Sequence, residues 1–148
     1  MKISLLAITI CLTTALSLSA DPAAEKAFVD QYKKAYEGKD TKTLESFLYK
    51  EGAHPMVLEF YKMQMTEGAG GKISSIELLD LSPEDEKKAG GVQEGPSGEK
   101  TRMPIKPTKK LSVKVEMKDG SGSGSTTNTM FVAEKNGKFV IPVPAPVK

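Results

Sequence analysis

Few residues in this sequence have side chains suited to acid–base or ligand chemistry. His54 is the sole histidine, and Tyr32, Tyr36 and Tyr61 are the tyrosines that fall within apolar helical patterns. An imidazole titrates near pH ~6.5 and so suits proton transfer at neutral pH. General acid–base work also needs a positioned partner. No local motif supplies one, and no Ser lies in a nucleophile-elbow frame. A lone His before Pro55 reads first as a helix-start or loop residue. No residue is therefore assigned a catalytic role. His54 and the three tyrosines stand as candidate lining of a ligand pocket, with core packing as the alternative for the tyrosines. Met56, Met63 and Met65 read as adaptable core fillers.

Metal and phosphate chemistry find little support. One His and one Cys, Cys11, cannot make a zinc site of the usual ligand spacing. Ser82-Pro83-Glu84-Asp85-Glu86 is acidic but lacks the spaced oxygen ligands and mid-loop Gly of a calcium loop. Gly68-Ala69-Gly70-Gly71 follows a helical pattern and has no Gly-Lys-Ser or Gly-Lys-Thr, so it is not a phosphate loop. No cofactor and no metal is expected. The 21 basic and 19 acidic side chains are interspersed, with a single Arg, Arg102. A nucleic-acid binder gathers its basic residues on one face. The pairs Lys33-Lys34, Lys87-Lys88 and Lys109-Lys110 read instead as solvated surface.

The amino terminus sets the expected compartment. Lys2 precedes an apolar stretch from Ile3 to Leu18, small residues follow, and Asp21-Pro22 opens a charged segment. That is the order of a cleaved secretory signal. The stretch is too short and too rich in Ser and Thr for a stable membrane anchor. Cleavage is expected after Ser19 or Ala20. Ile10 before Cys11 argues against lipidation. The signal would take Cys11 with it, leaving a near-neutral chain without disulfides, periplasmic or secreted, and not inserted in a membrane. Residues 21–141 are read as one domain, followed by a Pro-rich extended tail at 142–148.

The elements that must position the candidates follow from periodicity. Residues 22–37 carry an apolar stripe of Ala24, Ala27, Phe28, Tyr32, Ala35 and Tyr36, with Asp21 as cap and Gly38 as stop. A second helix is expected from Thr41 to Lys50. A third begins at Pro55 and is apolar almost all round, which predicts thorough burial. Beyond Lys72 the period changes to two. Strands are predicted at 73–81, 111–117, 126–134 and 138–141, with a hairpin at Asn136-Gly137. Residues 82–108 are irregular, with a short helix at 83–88 and an edge strand near 103–106. Pro142, Pro144 and Pro146 are expected to end sheet pairing. Helices followed by a meander give an α+β fold, with N-terminal helices on a curved antiparallel sheet.

The run Phe28-Val29-Asp30-Gln31-Tyr32-Lys33-Lys34-Ala35-Tyr36-Glu37-Gly38-Lys39-Asp40, followed by Leu44-Glu45-Ser46-Phe47-Leu48-Tyr49, resembles the opening of the nuclear transport factor 2-like superfamily, which includes ketosteroid isomerase-like domains. Glu134-Lys135-Asn136-Gly137-Lys138-Phe139-Val140 resembles the closing hairpin of exported members. The resemblance implies a cone-shaped fold with a cavity at its open end. Aromatic residues on the first and third helices would line that cavity. It implies a cavity more than a reaction. The expected function is thus a non-enzymatic exported domain that binds a small apolar ligand or a partner protein of the cell envelope. Two alternatives are an acid–base enzyme of the ketosteroid isomerase kind and an oligomerisation module. The second would pair its exposed strand at 126–134 with another chain, giving a homo-oligomer.

Overall fold

A computed structural model describes residues 21–95, 97–119 and 122–147. The expected signal segment, 1–20, and the tip at 120–121 lie outside the described residues. The order of elements is α1 (Pro22–Glu37), α2 (Thr41–Ser46), β1 (Leu48–Tyr49), α3 (Pro55–Thr66), β2 (Lys72–Asp80), α4 (Pro83–Gly90), β3 (Gln93–Glu94), β4 (Lys100–Arg102), β5 (Lys109–Asp119), β6 (Gly122–Lys135), β7 (Lys138–Pro142) and β8 (Ala145–Pro146). The fold is mixed α+β. A five-stranded sheet has the order β1-β7-β6-β5-β2, and a three-stranded sheet has the order β3-β4-β8. No described helix is long and apolar enough to cross a membrane.

Local chemistry accounts for the helix starts. Asp21 accepts a bond from the Ala23 amide at 3.0 Å, with Pro22 in the first turn where no amide is needed. Asp40 caps α2 through the Thr43 amide. Ser82 and Asp85 form a reciprocal capping box on α4. Gly38 ends α1 as its C-cap in a right-handed conformation, and the left-handed residue that follows is Lys39 at φ 54°. Asn136 and Gly137 both have positive φ, as a two-residue hairpin requires.

The core lies between α1, α2, α3 and one face of the larger sheet. Leu111, Val113 and Val115 point inward from β5, while Ser112, Lys114 and Glu116 point outward. Phe28 packs edge-on against Phe47 at 5.2 Å between ring centroids and against Phe139 at 5.8 Å. Tyr32 stacks on Tyr36 at 6.4 Å. Leu44, Met65, Ile141 and Val143 are wholly buried. On the sheet's other face, register places Leu79, Lys110 and Phe131 in one row.

Four sequence expectations are corrected. The second helix ends at Ser46 rather than Lys50, because Leu48 and Tyr49 pair in parallel with β7. Ile141 donates to the Phe47 carbonyl at 2.8 Å and Val143 to Tyr49 at 3.1 Å. These long-range bonds override local helix preference. The strand expected at the edge near 103–106 lies earlier, at Lys100–Arg102, ahead of Pro104 and Pro107, and it is the middle strand of the small sheet. The prolines of the tail do not end pairing. They alternate, so the missing donors fall on one edge of the strand. Val143 donates from the other edge to Tyr49, and Val147 to Lys100 at 2.9 Å. Residues 126–134 lie in β6, between β5 and β7, and the outer strands of that sheet are β1 and β2.

Candidate functional site

Helix α3 is the element whose exposure departs most from expectation. Val57 and Met65 are buried, yet Met56, Phe60 and Met63 are 52%, 44% and 57% exposed. Spacing of four and three residues sets these three on one face. The helix is apolar on both sides, but the core covers only one of them. Periodicity reports which faces are apolar and not which faces are covered. A row of large exposed apolar side chains is uncommon on an isolated domain and marks contact sites.

Beside this face runs a groove of about 440 Å³. Val57, Phe60 and Tyr61 form one wall, and Gln93, Thr101 and Pro144 stand on the other. The second wall belongs to the small sheet. Thr101 is buried and donates from its hydroxyl to the Gln93 carbonyl at 3.3 Å, which ties β4 to β3. A groove of this size, mostly apolar with a few polar groups, has the dimensions of a small-ligand site.

At the margin of the groove stand His54 and Glu99. His54 is the residue before Pro55 at the start of α3, and its amide donates to the Pro144 carbonyl at 3.3 Å. Glu99 closes the loop between β3 and β4, where the Gly95 amide donates to its carbonyl at 2.8 Å. His54 Nδ1 and Glu99 Oε1 face each other at 3.6 Å. That is an ion-pair separation and too long for a hydrogen bond. Both atoms are buried and neither has a hydrogen-bond partner. The other carboxylate oxygen of Glu99 is held by the Ser97 amide at 3.0 Å and by the Ser97 hydroxyl. The Glu99 carboxyl is held below the usual carboxylate range. The Ser97 hydroxyl is the main cause, followed by the backbone amides of the loop, and the nearby His54 adds a smaller part.

The four candidate residues separate into two places. Tyr32 and Tyr36 lie in the core, 2% and 3% exposed. Burial pushes the Tyr32 phenol well up, with Tyr36 beside it as a second cause. Burial also raises Tyr36, whose hydroxyl donates to the Glu67 carbonyl at 2.9 Å. Tyr61 lines the groove, with its phenol raised by burial, and His54 stands at the margin. So Tyr61 lines the groove and His54 stands next to it through Pro144, while Tyr32 and Tyr36 belong to the core.

Sequence reasoning missed Phe60, Gln93, Thr101 and Glu99 as site residues. Phe60 was legible as apolar but not as exposed. The other three come from the irregular stretch 82–108, where only the Gly95-Pro96-Ser97-Gly98 turn chemistry signalled a hairpin. Among the described residues, no three His, Cys, Asp or Glu side chains are grouped to hold a metal ion. Compared with known proteins, the chain matches no family model, no curated sequence and no solved structure.

Proposed function

We propose that this chain is an exported, non-enzymatic domain of the cone-shaped nuclear transport factor 2-like kind, which binds a small apolar ligand in the groove between α3 and the small sheet. The observation that carries this reading is Phe60. It is a large aromatic side chain, 44% exposed, on the wall of a 440 Å³ groove. Fully burying such a side chain is worth roughly 1.5–3 kcal/mol, and the exposed part of Phe60 leaves about 1 kcal/mol for a bound apolar body to recover. Gln93 and Glu94 give the rim polar groups that would orient a ligand. The signal-like leader, Lys2 followed by an uncharged apolar stretch, supports export.

The test is binding of a neutral apolar dye, N-phenyl-1-naphthylamine, followed by its fluorescence. The chain has no Trp to interfere. The wild type should enhance the dye and Phe60→Asp should not, with equal urea midpoints for the two proteins. Equal enhancement by both proteins would remove the groove from the proposal.

A further inference from the structure

A second cleft lies on the opposite face of the sheet, under the end of α4. It has a volume of about 610 Å³ and is walled by Phe131 of β6 and by Val92 and Gln93 beyond the helix. Val92 is half exposed. Helix α4 is fixed against the sheet by the ion pair of Lys110 Nζ with Asp85 Oδ2, at 2.6 Å. The cleft therefore has one firm apolar floor and one firm helical wall.

The charges around it are unequal. Glu84, Lys87 and Lys88 line the cleft. Glu84 is already paired with Lys88 at 2.9 Å, and Asp85 with Lys110. Lys87 has no ion-pair partner among the described residues. The end of a helix normally disfavours an anion, because its last carbonyls are bare. Here the Lys88 carbonyl accepts from the Gly91 amide at 3.3 Å and from the Gln93 side-chain amide at 2.9 Å. Those two donors satisfy one of the last carbonyls and so reduce the negative charge that an incoming anion would meet.

We infer that this cleft is a binding site for a small amphipathic anion, with its apolar body against Phe131 and Val92 and its carboxylate at Lys87. The apolar contact supplies affinity and the single unpaired ammonium supplies the preference for charge. A free single-chain carboxylate is the occupant, since the cleft has the volume of a small-ligand pocket.

The experiment is titration of the 15N-labelled protein with decanoate, below its micelle concentration, and in parallel with neutral decanol. Amide shifts are expected at Val92 and Phe131 with decanoate, the residues that line this cleft and not the α3 groove. Lys87→Ala should weaken decanoate about threefold to fivefold at low salt, as an exposed charge pair would. It should leave decanol unchanged. Val92→Asp should abolish both titrations. Phe60→Asp should alter neither, which separates this site from the α3 groove even if that groove proves empty. Urea midpoints of the variants confirm their folding. Absent shifts, equal affinity for decanol and decanoate, or no effect of Lys87→Ala would each overturn the inference. Sedimentation with phosphatidylglycerol vesicles should leave the protein in solution. Cosedimentation that depends on Lys87 would assign the charge to a membrane surface instead and overturn the free carboxylate.

Discussion

The hydroxyl of Tyr36 donates to the carbonyl of Glu67 at 2.9 Å, across 31 residues of sequence. This bond ties the end of α1 to the exit of α3. The next residue, Gly68, has φ 72°, and a Cβ built on it would stand 2.8 Å from the same phenol oxygen. The Gly70 amide also donates to the Tyr36 carbonyl at 2.7 Å. Three features of one loop therefore converge on one tyrosine.

Removing that hydroxyl should have a defined cost. Tyr36→Phe is expected to lower unfolding stability by about 1 kcal/mol, the net worth of an ordinary intramolecular hydrogen bond. Gly68→Ala should cost about 1–3 kcal/mol, from its left-handed backbone and the crowding against the phenol. In the double variant the two costs should sum to less than their separate values, because the oxygen that crowds the new methyl is gone. Urea denaturation of the four proteins measures the cycle. Strict additivity would show that the methyl and the phenol do not meet.

The pH dependence of stability should carry the signature of Asp85. The bond from Lys110 holds its carboxyl down at about 2, from an ordinary 3.8, with the Ser82 hydroxyl as the second cause. The folded value lies below the unfolded one. Its contribution is thus fully present above about pH 4 and is lost as pH falls from there toward 2. Asp85→Asn should flatten the acid limb of the stability curve in that window and leave the neutral limb parallel. Thermal melts from pH 7 to pH 2 decide the matter.

Glu99 offers a sharper test of cause. Its carboxyl is lowered first by the Ser97 hydroxyl and least by His54. Ser97→Ala should therefore raise the Glu99 value toward the ordinary range by more than His54→Ala does. Side-chain carboxyl NMR titration of Glu99 reads this directly. A larger shift in the histidine variant would reverse the order of causes.

Core and surface positions on neighbouring elements should differ strongly. Ile141 is wholly buried in the core, whereas Met63 is more than half exposed. Ile141→Ala should cost about 2–5 kcal/mol, through lost burial and the cavity left behind. Met63→Ala should fall within about 0.5 kcal/mol of wild type. Comparable losses at both positions would mean that the outer face of α3 is covered in solution, and a concentration-dependent midpoint would identify self-association as the reason.

Much of the scaffold was legible where one short-range rule decides. Asp21-Pro22 opened α1, the fault-free alternation of 111–117 gave β5, and Asn136-Gly137 gave the hairpin. The misses share a cause. Strands β1 and β8 are two residues long and exist only because distant partners, β7 and β4, supply the pairing. The prolines at 142, 144 and 146 looked like terminators because the rule counts donors lost, not the edge they are lost from. The site was harder to read. His54 and Glu99 are 45 residues apart, joined by a hairpin whose loop carries no periodic pattern. Phe60 and Val57 are alike in hydropathy, and only the packed structure distinguishes a covered side chain from a wet one.

The pairing of β1 with β7 has a consequence for synthesis. Leu48 waits for Ile141, and Tyr49 for Pro142, so the nascent polypeptide cannot seal its interior until β7, far downstream of the helices, has been made. Val143, wholly enclosed, follows directly after that strand. The helical half therefore stays open along one side until β7 arrives, and that late strand acts as the latch that couples the two ends of the domain.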